Sequence, residues 1–302
     1  MEALLARTRG ALIGVGIGDA LGATLEFMTK DEIKYKYGLH TELTGGGYWD
    51  LALGEVTDDT AMTIAVARGI ISMPEDPVLS IANNFTAWAK SKPKDIGNIC
   101  KLVLEEGHRR GTCSEAEWLE IAETAHFWSG KRSAGNGSLM RTIPIVLGYF
   151  RDRDLMLSLA QRVSALTHFD SIVEKCIRYY CDLVRTVLLE GNLHSVLLQA
   201  EQDAPFELDL TTPSDQLNTS GYVVHTLQTA LTCVYQTNSF ESALTKVVNL
   251  GGDADTIGAV TGGLAGAYYG DYGIPSRWLE NLVVKDELRE LAGNLYKIDY
   301  PS

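Results

Sequence analysis

The chain has 302 residues, of which 45% are hydrophobic and 22% charged, and a formal charge of -13. This is a globular composition, long enough for a large buried core, and it excludes a disordered, collagen-like or low-complexity chain. With 26 basic against 39 acidic residues and no dense Lys/Arg cluster, it also argues against a phosphate-tracking stripe and a nucleic-acid partner.

Residues 2–22 suit a helix on which Gly10, Gly14, Gly18 and Gly22 recur at every fourth position, giving one face that a neighbouring backbone can approach closely. The apolar run 11–25 is too short to span a bilayer and contains Asp19, while Glu2 stands where a leader carries basic residues. No integral membrane segment is expected. In Gly14-Val15-Gly16-Ile17-Gly18-Asp19, Asp19 occupies the third-glycine position and no strand precedes the motif, which argues against a dinucleotide fingerprint.

Residues 39–55 are rich in glycine and turn formers and lead into Gly54-Glu55-Val56-Thr57-Asp58-Asp59-Thr60, followed by a buried helix over 61–71. Helices are predicted over 77–89, 99–109 and 115–127. The loop 130–138 then opens a helix over 139–150, with Pro144 near its start or at a bend. Helical spacing continues over 154–166, 171–189, 193–202, 223–236 and 240–250, and the polar, proline-bearing stretch 204–221 reads as a surface excursion.

After Gly251-Gly252-Asp253-Ala254-Asp255-Thr256, the glycines Gly258, Gly262, Gly266 and Gly270 repeat the four-residue interval. Each glycine costs ~1 kcal/mol against alanine in a helix, so two glycine-ribbed helices predict a tightly packed central pair. Period-two runs are nearly absent. The expected fold is all-α, a single-domain orthogonal helical bundle over 1–302.

The segments Thr57-Asp58-Asp59 and Asp253-Ala254-Asp255-Thr256 both stand at helix entrances. Each residue type is a favoured cap, and an acidic first turn complements the helix dipole. Together they supply four carboxylates and two hydroxyls, the oxygen donors of Mg2+ or Mn2+, with no Cys or His array for zinc. Carboxylates brought together without a cation repel one another and raise their pKa values. The loop Ser133-Ala134-Gly135-Asn136-Gly137-Ser138 has unobstructed amides suited to a phosphate or diphosphate, but it lacks the ending of a P-loop. His168 follows a helix and suits either a ribose or phosphate contact or a structural cap; Tyr222 suits stacking or packing. Five cysteines without a CxxC pair fit a reducing, cytoplasmic setting.

Read in order, these motifs resemble the ADP-ribosylglycohydrolase family, and within it they are most similar to the dinitrogenase-reductase-activating glycohydrolases. The likeness is carried by Gly18-Asp19-Ala20-Leu21-Gly22 with Glu26, Gly54-Glu55-Val56-Thr57-Asp58-Asp59-Thr60, Gly135-Asn136-Gly137-Ser138-Leu139-Met140-Arg141, Thr167-His168 and 251–256. The resemblance implies an all-helical fold with two divalent ions, Mg2+ or Mn2+, in a cleft. It further implies hydrolysis of the bond between ADP-ribose and a protein arginine, with nitrogenase iron protein as a candidate partner. Hydrolysis of another linkage, such as that to serine, and non-catalytic ADP-ribose binding are the alternatives.

By the same resemblance Thr57, Asp58, Asp59, Asp253, Asp255 and Thr256 are the implied metal ligands, and Asp95 and Glu26 the implied catalytic residues. Gly97, Ser133, Gly135, Asn136, Gly137 and His168 are implied in substrate binding, with Tyr222 stacked on adenine. Thr24 departs from the pattern, standing where the family often has proline.

Overall fold

A computed structural model describes residues 2–298, which form fifteen α-helices and one short 3-10 turn. The helices are α1 (Glu2–Gly22), α2 (Lys30–Tyr37), α3 (Asp58–Ser72), α4 (Val78–Lys90), α5 (Asn98–Arg110), α6 (Glu115–Trp128), α7 (Ile143–Tyr149) and α8 (Arg153–Ala165). They continue as α9 (Ser171–Glu190), α10 (Leu193–Asp203), α11 (Val223–Tyr235), α12 (Phe240–Val248), α13 (Ala254–Tyr269), α14 (Ser276–Asn281) and α15 (Lys285–Tyr296). The all-α expectation holds, and the apolar faces of the helices merge into one core.

The centre of that core is the pair α1 and α13. Residues 10–22 and 254–267 are all buried, so both helices are apolar around their whole circumference, as a central helix must be. They run antiparallel, glycine against glycine. A Cβ added at Gly14 would stand 2.1 Å from the Gly262 carbonyl oxygen, one at Gly18 2.0 Å from that of Gly258, and one at Gly266 2.0 Å from that of Gly10. Only the missing side chains permit this approach. Gly270, the last of the second row, ends α13 as a cap with φ 69° and still packs against the rib: a Cβ at Gly10 would stand 2.4 Å from its carbonyl carbon.

Antiparallel pairing has a positional consequence. Gly22, at the end of α1, meets Ala254, at the start of α13, so the loop carrying Glu26 lies beside the loop carrying Asp253 and Asp255. Backbone bonds join the two loops directly: Phe27 N–H donates to Gly252 O and Gly252 N–H to Met28 O, both at 2.8 Å.

Three helices, α2, α14 and α15, lie in segments left unassigned by periodicity. The first is short and polar, yet Thr29 and Glu32 form a reciprocal capping box at its start. The helix expected over 139–150 begins only at Ile143, because turns occupy the preceding residues and Pro144 sits in the first turn. None of the described helices is long and apolar enough to cross a membrane.

Replacing Gly262 by alanine should destabilise the protein by about 1–3 kcal/mol or more, since the new carbon would meet backbone, which cannot rotate away. At Gly293 in α15 an added Cβ would meet nothing within 4 Å, so Gly293→Ala should stabilise by about 0.5–1 kcal/mol. Denaturant titration of the two variants checks both signs.

Candidate active site

A cleft of about 680 Å³ opens where four helices begin. Its wall includes Asp58 from the first turn of α3, Gly97 capping α5, Gly221 just before α11, and Asp253 capping α13. The positive ends of these helix dipoles therefore gather around one volume.

The two acidic corners meet there through side-chain chemistry rather than through capping. Neither Thr57 nor Asp253, each the cap residue of its helix, makes a side-chain capping bond. The Thr57 hydroxyl donates to Asp59 Oδ2 at 3.1 Å, and the Thr256 hydroxyl reaches the same oxygen at 3.4 Å across 197 residues of sequence. Asp59 is fully buried and joins the corners from outside the cleft wall, whereas Asp58, Asp253, Asp255 and Thr256 line the cleft.

Asp19, which lies within the resemblance motif without an assigned role, organises the first corner. Fully buried in α1, it accepts hydrogen bonds from Thr57 N–H (3.0 Å), Thr60 N–H (3.0 Å) and the Thr60 hydroxyl (2.5 Å). A carboxylate on the central helix thus holds the positive end of α3. Gly97 N–H donates to Asp58 Oδ2 at 3.2 Å, which fixes this carboxylate from the side of α5.

Glu26, Asp95 and Asp255 each bring a carboxylate oxygen within 4.8 Å of the others. Glu26 is held by the Trp49 indole N–H at 2.6 Å, a contact that nothing in the sequence pattern signals. Thr24 secures the same neighbourhood: its hydroxyl donates to Gly45 O at 3.1 Å, in the glycine loop that carries Trp49.

Crowding and burial push these groups upward together. Desolvation, then the charges of Asp58 and Glu26, lift Asp95 to about 8. Desolvation, with Asp253 and Asp58 nearby, lifts Glu26 to about 7 against the Trp49 hydrogen bond. Asp19 and Asp58 rise to about 6, chiefly through burial, and Asp59 and Asp255 lie well above the ordinary range. Asp59 Oδ1 and Asp255 Oδ1 are buried and have no hydrogen-bond partner. Unpartnered buried carboxylate oxygens are costly, and hard oxygen donors of this kind fit Mg2+ or Mn2+.

Another part of the cleft wall has a different character. Gly135, Gly137, His168 and Arg132 line it, and the Gly135 and Gly137 N–H groups make no hydrogen bond within the described residues. The His168 ring is buried, and desolvation with the nearby Arg141 charge pushes it down to about 3, so it is a neutral hydrogen-bonding group. Its Nδ1 lies 2.8 Å from the Thr167 hydroxyl, which accepts from buried Arg141 at 2.7 Å.

Three of the expected substrate-binding residues stand differently from the expectation. Asn136 lines the cleft, but both its amide hydrogens are engaged, one by Asp253 Oδ2 at 2.6 Å and one by Thr226 at 2.8 Å; it positions the acidic corner. Ser133 does not line the cleft, because its hydroxyl is engaged with His126 and Phe169 O. Tyr222 is half-exposed beside Gly221, with its ring edge-on to His225, and does not line the cleft either. The excursion 204–221 is a surface segment as expected, and its last residues, Thr219, Ser220 and Gly221, also form cleft wall, with Thr219 O accepting from Asp253 N–H at 2.8 Å.

Comparison with known proteins identifies a family and a shared fold. Residues 1–301 match the family model described as ADP-ribosylglycohydrolase. The chain is 37% identical to an ADP-ribosyl-dinitrogen reductase glycohydrolase of Rhodospirillum rubrum, over 93% of this chain and 92% of the relative. It is 32% identical to an ADP-ribosylarginine hydrolase of Pseudomonas putida, over 98% of this chain and 79% of the relative. A solved structure described as an ADP-ribosylglycohydrolase-related protein complex superposes with a TM-score of 0.81 at 32% identity, covering 98% of this chain and 99% of that one.

Because the folded carboxylates take up protons more readily than unfolded ones, the folded chain holds more protons between an ordinary pKa of about 4 and the folded values of about 6 to 8. Stability without a divalent cation is therefore highest below that window and is lost as pH rises through it. Thermal melts in chelator should show Tm falling between about pH 5 and about pH 8, and added Mg2+ or Mn2+ should raise Tm more at the higher pH, where the oxygens are deprotonated. Asp19→Ala, which strands two buried N–H groups, should cost about 1–3 kcal/mol and abolish the cation-dependent rise in Tm.

Proposed function

The chain belongs to the ADP-ribosylglycohydrolase family, and on that premise we propose that it hydrolyses the N-glycosidic bond between ADP-ribose and an arginine side chain of a protein. The observation that carries this reading is the division of the cleft wall into two adjoining parts: clustered carboxylates with unpartnered oxygens in one, free amides, a neutral histidine and an arginine in the other. ADP-ribose divides in the same way, with ribose hydroxyls and the scissile bond at one end and a diphosphate at the other. The volume lies within the usual range for a ligand of this size, ~300–1,000 Å³. Two relatives whose names specify ADP-ribosylarginine and ADP-ribosylated dinitrogen reductase support the arginine linkage, and make nitrogenase iron protein a candidate substrate.

In this reading Thr57, Asp58, Asp59, Asp253, Asp255 and Thr256 hold two divalent ions, Mg2+ or Mn2+. Ions bound there supply Lewis-acid polarisation of oxygens at the ribose and compensate the gathered negative charge. The departing guanidine is a strong base and leaves with a proton. Asp95 stands within the carboxylate cluster and supplies that proton; Glu26, fixed by Trp49, orients the ribose side of the bond. Gly135 and Gly137 amides, with His168, receive the ribose and diphosphate oxygens, and Gly97, whose N–H holds Asp58, shapes the adjoining wall. Asn136 keeps Asp253 in place. The whole of 1–302 acts as one domain, and the five free thiols fit a cytoplasmic setting.

Arginine-ADP-ribosylated protein incubated with Mg2+ or Mn2+ should release free ADP-ribose, and serine-linked substrate should be cleaved far more slowly; the reverse preference would overturn the arginine assignment. Asp95→Asn should lower turnover by about 100-fold or more while ADP-ribose still binds. Asp255→Ala should lose cation binding in direct metal analysis.

A further inference from the structure

At the mouth of the cleft stand three aromatic rings whose arrangement the hydrolytic machinery does not require. Phe27 and Trp49 line the cleft, and Tyr48 lies against both. The Phe27 and Tyr48 rings cross at 87° with centroids 5.0 Å apart, Tyr48 and Trp49 at 88° and 4.8 Å, and Phe27 and Trp49 at 64° and 6.4 Å. Three rings set edge to face make the corner of a box.

Two features show that this corner is built rather than incidental. Phe27 has φ 63°, a left-handed backbone that a bulky side chain rarely adopts, held there by the Phe27 N–H to Gly252 O bond. Clustering has not buried the rings: Phe27 is 60% and Tyr48 68% exposed. A strained backbone that displays a phenyl ring to solvent gains little from burial, and glycine would remove the strain. Tyr48 and Trp49 are displayed in turn by a tight loop, closed by reciprocal Gly46 and Leu51 backbone bonds of 2.7 and 2.9 Å. Gly45, Gly46 and Gly47 there all have positive φ, and a Cβ at Gly47 would stand 2.4 Å from Ala23 O.

The surroundings of the corner specify what it receives. Glu26 is the neighbour of Phe27 in sequence and is hydrogen-bonded to Trp49, and Asp95 lies on the same cleft wall. Aromatic faces attract a cation through the ring quadrupole, and a guanidinium can also stack on them. We propose that Phe27, Tyr48 and Trp49 form a cation-recognition corner for the guanidinium of the modified arginine, and that the protein substrate docks on this side of the cleft. The inference rests on the arginine-linked reading above, and it places the leaving group, which the ADP-ribose half of the cleft does not address.

The test compares equilibrium binding of ADP-ribose and of an arginine-ADP-ribosylated peptide to Asp95→Asn protein with saturating Mn2+, which slows turnover. The peptide should bind about tenfold more tightly than ADP-ribose. Adding Phe27→Gly, which relieves the backbone strain and should not lower Tm, should remove most of that advantage and leave ADP-ribose affinity within about twofold. Phe27→Leu, which keeps apolar bulk without a π face, should lose the advantage as well. An advantage that survives Phe27→Gly, an equal loss for both ligands, or no advantage in the parent protein overturns the corner. Hydrolysis of the same peptide by the protein with Asp95 intact reports separately on the parent reading: turnover with no binding advantage sinks the corner alone, whereas no ADP-ribose binding sinks both.

Discussion

The contact between the α1 and α13 backbones is the constraint from which the rest of the structure follows. Glycine facing glycine lets each carbonyl approach the other helix more closely than any side chain would permit. The glycines sacrifice helix propensity, and the close fit of two fully buried helices offsets it. Because the pairing is antiparallel, it brings the end of one helix to the start of the other, and Glu26 comes to lie by Asp253 and Asp255. Asp19, one turn before the end of α1, then reaches across to the first turn of α3. Both acidic corners are thus anchored to the same central helix.

Placing carboxylates this way is unfavourable for the protein by itself. Burial and mutual repulsion raise their proton affinities, and two oxygens remain without partners. The hydrogen bonds that do form share out the work: Asp19 is satisfied by backbone and hydroxyl donors, Asp253 by Asn136 and Asp58 by Gly97, while Asp59 draws the two corners together. The unpaired oxygens belong to Asp59 and Asp255, one from each corner, which marks the seam between the corners as the place where positive charge is needed.

Much of this is legible in the sequence, for reasons that differ residue by residue. The glycine ribs can be read because a four-residue interval maps directly onto one helix face, and the acidic corners because both stand at helix entrances. Cap preference alone does not say what the corners do, since their side chains are turned away from capping. Asp19 belongs to a motif of the family resemblance, but nothing in the sequence assigns it a role, because its partners lie about 40 residues away, beyond any local pattern. Tyr48 and Trp49 sit in a glycine loop without periodicity, and Phe27 in the turn that follows α1. Ser133 and Asn136 belong to a glycine-rich loop whose composition suits a phosphate, but composition does not reveal which hydrogen bonds are already taken. The helix α2 does carry a signal, the Thr29–Glu32 box, which a hydrophobicity pattern passes over.

The polarity of the cleft governs how an anion arrives. Far from the surface the chain presents its net charge of -13, which repels a diphosphate. Salt limits that repulsion to about 10 Å or less, and inside this distance Arg132, the free glycine amides and the beginnings of α5 and α11 face the ligand instead. The far field therefore contributes no steering toward the site, and discrimination is deferred to contact. In the cation-free cleft an anion that enters reversed meets carboxylates in place of free amides, so its orientation is discriminated by the walls at contact.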